Sequence, residues 1–228
     1  IKKGIPFKHF KDQVLFEKDE VVKSDGKPYT VFTPYSKRWK EKLNAFYMKS
    51  YPTEKYFNNL QPTDEIPIPS LSEIGFEPSG SRFPDRIIKT SIIENYHKTR
   101  NFPEIQGTTR LSLHLRFGTV SIRKLVHIAT RKNDTWLNEL IWRDFYQMIL
   151  FHFPHVVNKS FKTKYDNINW RNNKNEFALW CEGKTGFPLV DAGMRQLNAT
   201  GFMHNRVRMV VASFLVKDLL IDWRWGEA

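Results

Sequence analysis

The stretch from Trp136 to His152 constrains the fold most. Leu137, Leu140, Ile141, Phe145, Met148 and Ile149 recur there at helical intervals, so an α-helix gathers them into one apolar stripe, whereas a strand would scatter them over both faces. Asp134 or Thr135 can cap its start, and Pro154 stands just past its end. A helix with such a stripe needs partners of the same kind. Ile88, Ile92 and Tyr96 predict one over 87–100, closed by Pro103 and Gly107. Further helices are expected near 111–117, 122–132 and 189–200, and a last long one from about 204 to 222. Ser36 can cap a run holding Trp39, Leu43, Phe46 and Tyr47. The expected fold class is therefore all-α. Two β-prone runs stand apart, Gln13–Phe16 and Tyr29–Phe32, separated by an Asp25-Gly26 turn signal. They are too short to make a sheet, so they read as the end of another domain or as an arm packed on the helical body. Pro52 to Pro84 reads as a long surface connection.

The 228 residues suit one domain, or a domain with part of another. With 40% hydrophobic and 26% charged residues the chain can build a core, which disfavours intrinsic disorder. No apolar run approaches the roughly 20 residues of a membrane span. Cys181 is the one cysteine, which excludes an internal disulfide and a thiolate metal site and makes a reducing compartment the default. The seven histidines show no metal-ligand spacing, and no Ser-His-Asp order is readable. A start at Ile1, without a signal-like apolar segment, is expected of a stretch taken from a longer chain. The net charge of +12 calls for an acidic partner, or serves solubility alone. It comes with 14% aromatics, including seven tryptophans, a mixture suited to unstacked bases or a flavin-like ring, or to an ordinary core beneath solvated lysines.

Three constellations could carry chemistry. Glu139, Trp142, Arg143 and Tyr146 share the second face of the 136–152 helix. On spacing alone the plainer reading is a Glu139–Arg143 surface pair beside two half-buried aromatics. Gly107 to Ser112 places Thr108, Thr109, Arg110 and Ser112 before an apolar helical pattern, where free N–H groups favour phosphate. An ordinary cap explains Thr109 or Ser112 equally well. In Gly201 to Val210 a glycine closes one helix, and the next opens with His204, Asn205, Arg206 and Arg208. Its continuation is apolar almost all round, as in a buried helix, so Asn205, Arg208 and Met209 are candidates to line a polar cavity. Alternatively, the arginines pair with Asp191 or Asp218.

The run Trp136-Leu137-Asn138-Glu139-Leu140-Ile141-Trp142-Arg143-Asp144-Phe145-Tyr146 resembles the substrate-facing helix of the photolyase/cryptochrome family. Glu182-Gly183-Lys184-Thr185-Gly186-Phe187-Pro188-Leu189-Val190-Asp191-Ala192-Gly193-Met194-Arg195-Gln196-Leu197 resembles its signature block, as do Met203 to Met209 and Leu219 to Arg224. The likeness covers nearly the whole chain and is closest to the bacterial cyclobutane-pyrimidine-dimer branch. It implies that residues 1–33 end an N-terminal α/β antenna domain and its linker. Residues 34–228 then form most of a helical FAD-binding and DNA-binding domain, whose pattern continues past Ala228. A stretch cut at both ends is expected to be inactive by itself, and whether it retains FAD stays open. The antenna chromophore stays unspecified.

By the same resemblance Tyr96, Thr108, Thr109, Arg110, Leu111, Ser112, Trp136 and Arg143 hold FAD, and Asn205 and Arg208 lie near its ring system. Arg100, Glu139, Trp142, Tyr146, Asn205, Arg206 and Met209 face the lesion or its DNA backbone. Within that group Trp142 walls a flipped-out dimer and Glu139 bonds a base edge; these two, with Asn205 and Met209, form the catalytic set. Trp170 and Trp223 match the outer and middle members of an electron-transfer chain, although core packing explains both indoles too. The implied reaction is light-driven DNA repair, in which reduced FAD donates an electron to a pyrimidine dimer, the dimer splits, and the electron returns to the flavin. The implied enzyme is a cytoplasmic, monomeric lyase that acts on damaged DNA, without a metal or a membrane. Phe202 stands where many relatives have Trp. The His204-Asn205 pair lacks the two histidines linked to (6-4) repair, and a lone Cys181 argues against the iron–sulfur branch. Two other readings are a cryptochrome-like photoreceptor and a flavin-free basic DNA-binding module.

Overall fold

A computed structural model describes residue 4, residues 6–77, residue 80 and residues 83–228. Among them there is no strand. The helices are α1 (Phe32–Lys42), α2 (Ala45–Met48), α3 (Thr90–Thr99), α4 (Ser112–Arg116), α5 (Ile122–Lys132) and α6 (Asp134–His152). They continue with α7 (Lys174–Glu182), α8 (Pro188–Thr200), α9 (Asn205–Ser213) and α10 (Trp223–Glu227). The all-α expectation holds.

The β-prone runs are not strands. With no neighbouring strand to pair with, the backbone N–H groups of Leu15 and Phe16 donate to the Asp144 carboxylate on α6, at 3.2 and 3.3 Å. Leu15 and Phe16 are buried, so this stretch is an arm packed on the helices. The turn at Asp25-Gly26 is present: the Gly26 N–H donates to the Lys23 carbonyl at 3.0 Å, and Gly26 has φ +76°. The second run ends inside a helix, because α1 begins at Phe32 rather than after a Ser36 cap. The Ser36 hydroxyl donates instead to the Thr33 carbonyl. Phe46 and Tyr47 belong to α2, whose cap is Asn44.

The cap of α6 is Asn133, whose side chain accepts from the Trp136 N–H at 3.1 Å. Asp134, expected as a cap, pairs with Lys40 at 2.6 Å. Helix α7 is an element that periodicity does not reveal. Its signals are terminal: Asn173 accepts from the N–H groups of Asn175 and Glu176, and Gly183 closes it at φ +65°. The expected long helix over 204–222 is broken. After α9 comes a π-helical turn, Phe214–Asp218, and Leu220 takes φ +51° so that Asp222 can cap α10. Asn172 secures the break by accepting from the Asp222 N–H at 2.8 Å. Nor is α9 buried all round: Val207 and Val211 face inward, while Met209 and Val210 are exposed. Most of the described part of 52–84 is exposed, with a 3-10 turn at Thr53–Asn59. Positions 78, 79, 81 and 82 of that connection lie outside the described residues.

Two apolar clusters hold these elements. The first joins Leu15, Phe16 and Val21 of the arm to Tyr35 and Trp39 of α1, and to the inward faces of α3, α5 and α6. The second joins Trp180, Val190, Met194, Val207, Val211 and Ile221 from α7 to the end of the chain. Gly193 allows α8 to lie close against α9, since a Cβ there would lie 2.5 Å from Val207 Cγ1 and 2.9 Å from Val211 Cγ2. Only a glycine lets α8 and α9 pack this tightly.

Candidate functional site

Where α3 ends against α6, Arg100 Nη1 donates to Glu139 Oε1 at 2.7 Å. The expected i,i+4 pair of Glu139 with Arg143 does not form. Arg143 turns to the arm and to α4, donating to the carbonyls of Gln13 and Leu115. Burial pulls its pKa below the usual guanidinium value. Tyr96, one turn before Arg100, has its phenol pushed up to about 12, by burial first and then by the Glu139 carboxylate. It is therefore a neutral hydrogen-bonding group. The Arg100 guanidinium also lies 5.4 Å from the centre of the Tyr96 ring.

The next residue brings in α9. Asn101 Oδ1 accepts from Arg206 Nε at 2.9 Å, and Arg206 Nη1 lies 3.5 Å from Met209 Sδ. Asn205 Nδ2 reaches the same sulfur at 4.0 Å. One junction of α3, α6 and α9 thus gathers Tyr96, Arg100, Glu139, Asn205, Arg206 and Met209, residues far apart in sequence. Arg208 is exposed on α9. The Asp191 carboxylate does not receive an arginine; it accepts from the Thr185 hydroxyl and from the N–H groups of Thr185 and Gly186. The Thr185 hydroxyl bond leads in holding its pKa below the usual carboxylate range.

One turn along α6 from Glu139, Trp142 stacks on Phe32 of α1 with centroids 3.6 Å apart and planes at 4°. Tyr146 follows at 5.5 Å and 24°, and its ring is exposed. Three aromatic rings thus run from the start of α1 toward solvent beside the ion pair.

The Gly107–Ser112 segment lies against the end of α3: a Cβ on Gly107 would sit 2.6 Å from Thr99 Oγ1. Neither Thr109 nor Ser112 caps α4. Leu111 occupies the cap position, and among the described residues no side-chain cap bond forms there. Thr108 and Thr109 are half-buried, and Arg110 and Ser112 are exposed. This donor set of hydroxyls, N–H groups and a guanidinium fits phosphate oxygens. Arg110, at φ +52°, places its guanidinium 4.3 Å from the centre of the Phe202 ring and so ties the segment to the α8–α9 turn. His114 anchors α4 from beneath, with Thr119 Oγ1 on one ring nitrogen and the Pro84 carbonyl on the other, both at 2.7 Å.

Trp136 lies in the first apolar cluster. Trp170 and Trp223 are half-buried, and the buried Trp170 Nε1 has no hydrogen-bond partner among the described residues. Four residues outside the sequence-based candidates matter here: Phe32, Asn101, Asp144 and His204. His204 caps α9 by accepting from the Arg206 N–H at 3.2 Å, and burial followed by the Arg206 charge lowers its pKa. Asp144 carries a visible signal, a carboxylate on the apolar stripe of α6.

Comparison with known proteins extends this picture. Residues 136–228 match the family model described as the FAD binding domain of DNA photolyase, and residues 1–55 match the one described as DNA photolyase. The chain is 42% identical, over 99% of its length, to deoxyribodipyrimidine photo-lyase of Alkalihalophilus pseudofirmus, and covers 51% of that protein. For the Escherichia coli protein of the same name the identity is 36% over 96% of this chain and 50% of the relative. The chain therefore spans about half the length of the curated relatives it matches. Among solved structures, a bacterial class III photolyase from Agrobacterium tumefaciens superposes with a TM-score of 0.73 at 32% identity, covering 95% of this chain and 49% of that one. A Synechocystis cryptochrome gives 0.55 at 38% identity over 60% of this chain and 30% of that one. Two matches at opposite ends, a likeness to whole photolyases over nearly every residue between them, and a shared fold have one common explanation: the chain belongs to the DNA photolyase family.

Proposed function

We propose that this chain is the flavin-binding and DNA-facing part of an enzyme that uses light to split cyclobutane pyrimidine dimers. The observation that carries the reading is the junction of α3, α6 and α9. There the Arg100–Glu139 pair, Tyr96 and Arg206 meet in a chain 42% identical to a deoxyribodipyrimidine photo-lyase. FAD is the cofactor of this reading, and when bound it supplies the light-driven one-electron chemistry. Thr108, Thr109, Arg110 and Ser112 would hold its phosphates with the uncapped turn of α4, while Tyr96, Trp136, Arg143, Asn205 and Arg208 complete its site. Trp170 and Trp223 would serve as the outer and middle members of the electron-transfer chain.

The remaining work falls to the chain's own side chains. Glu139, held in place by Arg100, presents a preorganised acceptor to the base edges of an extruded dimer. Trp142 offers a flat apolar wall, and Tyr146 and the arginines meet the DNA backbone. Changing Arg206 to Ala in the intact protein should weaken binding of damaged and undamaged DNA alike. It should also lower the slope of log affinity against log salt by about 1. An unchanged slope in a binding titration would remove Arg206 from the backbone contacts. The reading as a whole is tested by light-dependent loss of dimers from an oligonucleotide.

A further inference from the structure

We infer that Phe32, the first residue of α1, is a positioning residue that fixes the plane of Trp142 and thereby sets the preference of this site for a dimer over intact DNA. The inference deepens the photolyase reading and rests on it for the nature of the ligand.

Among the described residues Trp142 meets three aromatic rings. Phe145 lies edge-on at 5.6 Å and Tyr146 is offset at 5.5 Å. Both are neighbours on α6, so they travel with the helix and leave the indole free to change rotamer. Phe32 is the contact from another element, and it is the closest and flattest of the three, at 3.6 Å and 4°. Its own position is fixed from below: Phe145 meets its edge at 5.9 Å and 81°. Helix α1 is in turn fastened to α6 by the Trp39 indole, which donates to Asp144 at 3.0 Å.

A half-exposed aromatic on a helix hops between rotamers on the picosecond-to-nanosecond scale unless something holds it. A ring that must present a flat wall to an extruded base binds better when its orientation is paid for before the ligand arrives. The stack on Phe32 performs that preorganisation. Leucine in its place keeps the apolar volume and the start of α1 but removes the flat partner. Losing one aromatic stack should reduce lesion preference by about three- to tenfold.

The test compares Phe32→Leu and Phe32→Tyr in the intact, flavin-loaded protein. Two readouts are used: the ratio of affinities for dimer-containing and intact duplex, and the 19F spectrum of protein labelled with 5-fluorotryptophan, with Trp142 assigned through Trp142→Phe. Phe32→Leu should cut the ratio three- to tenfold, leave the salt slope and the affinity for intact duplex unchanged, and shift or broaden the Trp142 resonance. Phe32→Tyr should keep the ratio within about twofold of the parent. Phe32→Met makes the same comparison if Phe32→Leu does not fold. An unchanged ratio in Phe32→Leu overturns the inference, as does an equal loss in Phe32→Tyr. A parent protein with no preference for dimers overturns the photolyase reading instead, and the 19F spectra then decide separately whether Phe32 holds Trp142.

Discussion

Replacing Asp144 with alanine should lower the stability of the protein by roughly 3–5 kcal/mol, the cost of removing the shared partner of a buried polar cluster. Asp144 is almost wholly buried. One of its oxygens accepts from the Trp39 indole at 3.0 Å and from the backbone of Leu15 and Phe16 at 3.2 and 3.3 Å. Alanine leaves three buried donors without an acceptor and removes the carboxylate that links the arm and α1 to α6. Asp144→Asn should behave differently, because it keeps an acceptor oxygen and removes the charge. Burial, the leading cause, raises the Asp144 pKa from its ordinary 3.8 to about 6, against the lowering effects of Trp39, the two backbone donors and Arg143. The folded state therefore holds the proton more tightly than the unfolded state. The associated stability is fully present below about pH 4 and is lost as the pH rises through about 6. At about 1.4 kcal/mol per unit the loss is roughly 3 kcal/mol. Other carboxylates run the opposite way, with Asp191 and Asp222 held below their ordinary values. The informative quantity is thus the difference in unfolding free energy between the protein and Asp144→Asn, followed by denaturant titration from pH 4 to 7. It should move in favour of Asp144→Asn by a few kcal/mol as the pH rises; a flat difference would show that Asp144 stays charged throughout.

Trp142→Ala should abolish most of the preference for dimer-containing DNA. A base stacked on an aromatic side chain gains roughly 1–3 kcal/mol, so the ratio of affinities for damaged and intact duplex should fall roughly 5- to 150-fold. Intact DNA should bind as before, because the backbone contacts proposed for Arg100 and Arg206 need no help from the indole. Equal preference in the mutant, measured by competition between labelled damaged and unlabelled intact duplex, would remove Trp142 from the pocket wall. Arg206→Ala and Trp142→Ala then separate the two halves of recognition, one lowering overall affinity and the other discrimination.

Much of this arrangement is legible in the chain itself. The spacing around Leu137, Ile141 and Phe145 marks the central helix, and the span 122–132 expected from its pattern matches α5 to the residue, because both segments bury one face against the same core. The shared face of Glu139, Trp142 and Tyr146 is readable for the same reason. Partners are not readable, since helical spacing places Arg143 beside Glu139 just as well as it leaves room for Arg100. The choice depends on how α3 crosses α6, which is a property of tertiary packing. The segment 13–16 looks like a strand because β-propensity registers apolar, half-buried backbone, and a carboxylate can accept backbone N–H groups in place of a neighbouring strand. Helix α7 escapes notice because Phe177, Leu179 and Trp180 make a weak stripe, although Asn173 and Gly183 mark both its ends. The π-helical turn at Phe214–Asp218 is hidden inside a continuous apolar pattern, because what breaks the helix is tertiary: Ile221 joins the second cluster and Asn172 accepts from the Asp222 N–H.

The measurement that bears most directly on the account is repair itself. The intact protein, with its flavin reduced, is mixed with an oligonucleotide carrying one thymine cyclobutane dimer, and restored thymine is followed in blue light and in darkness. Dimers should be lost under light and not in darkness, with the lit rate reduced in Trp142→Ala. Dimers that survive illumination, in a protein whose flavin spectrum still responds to light, would contradict it.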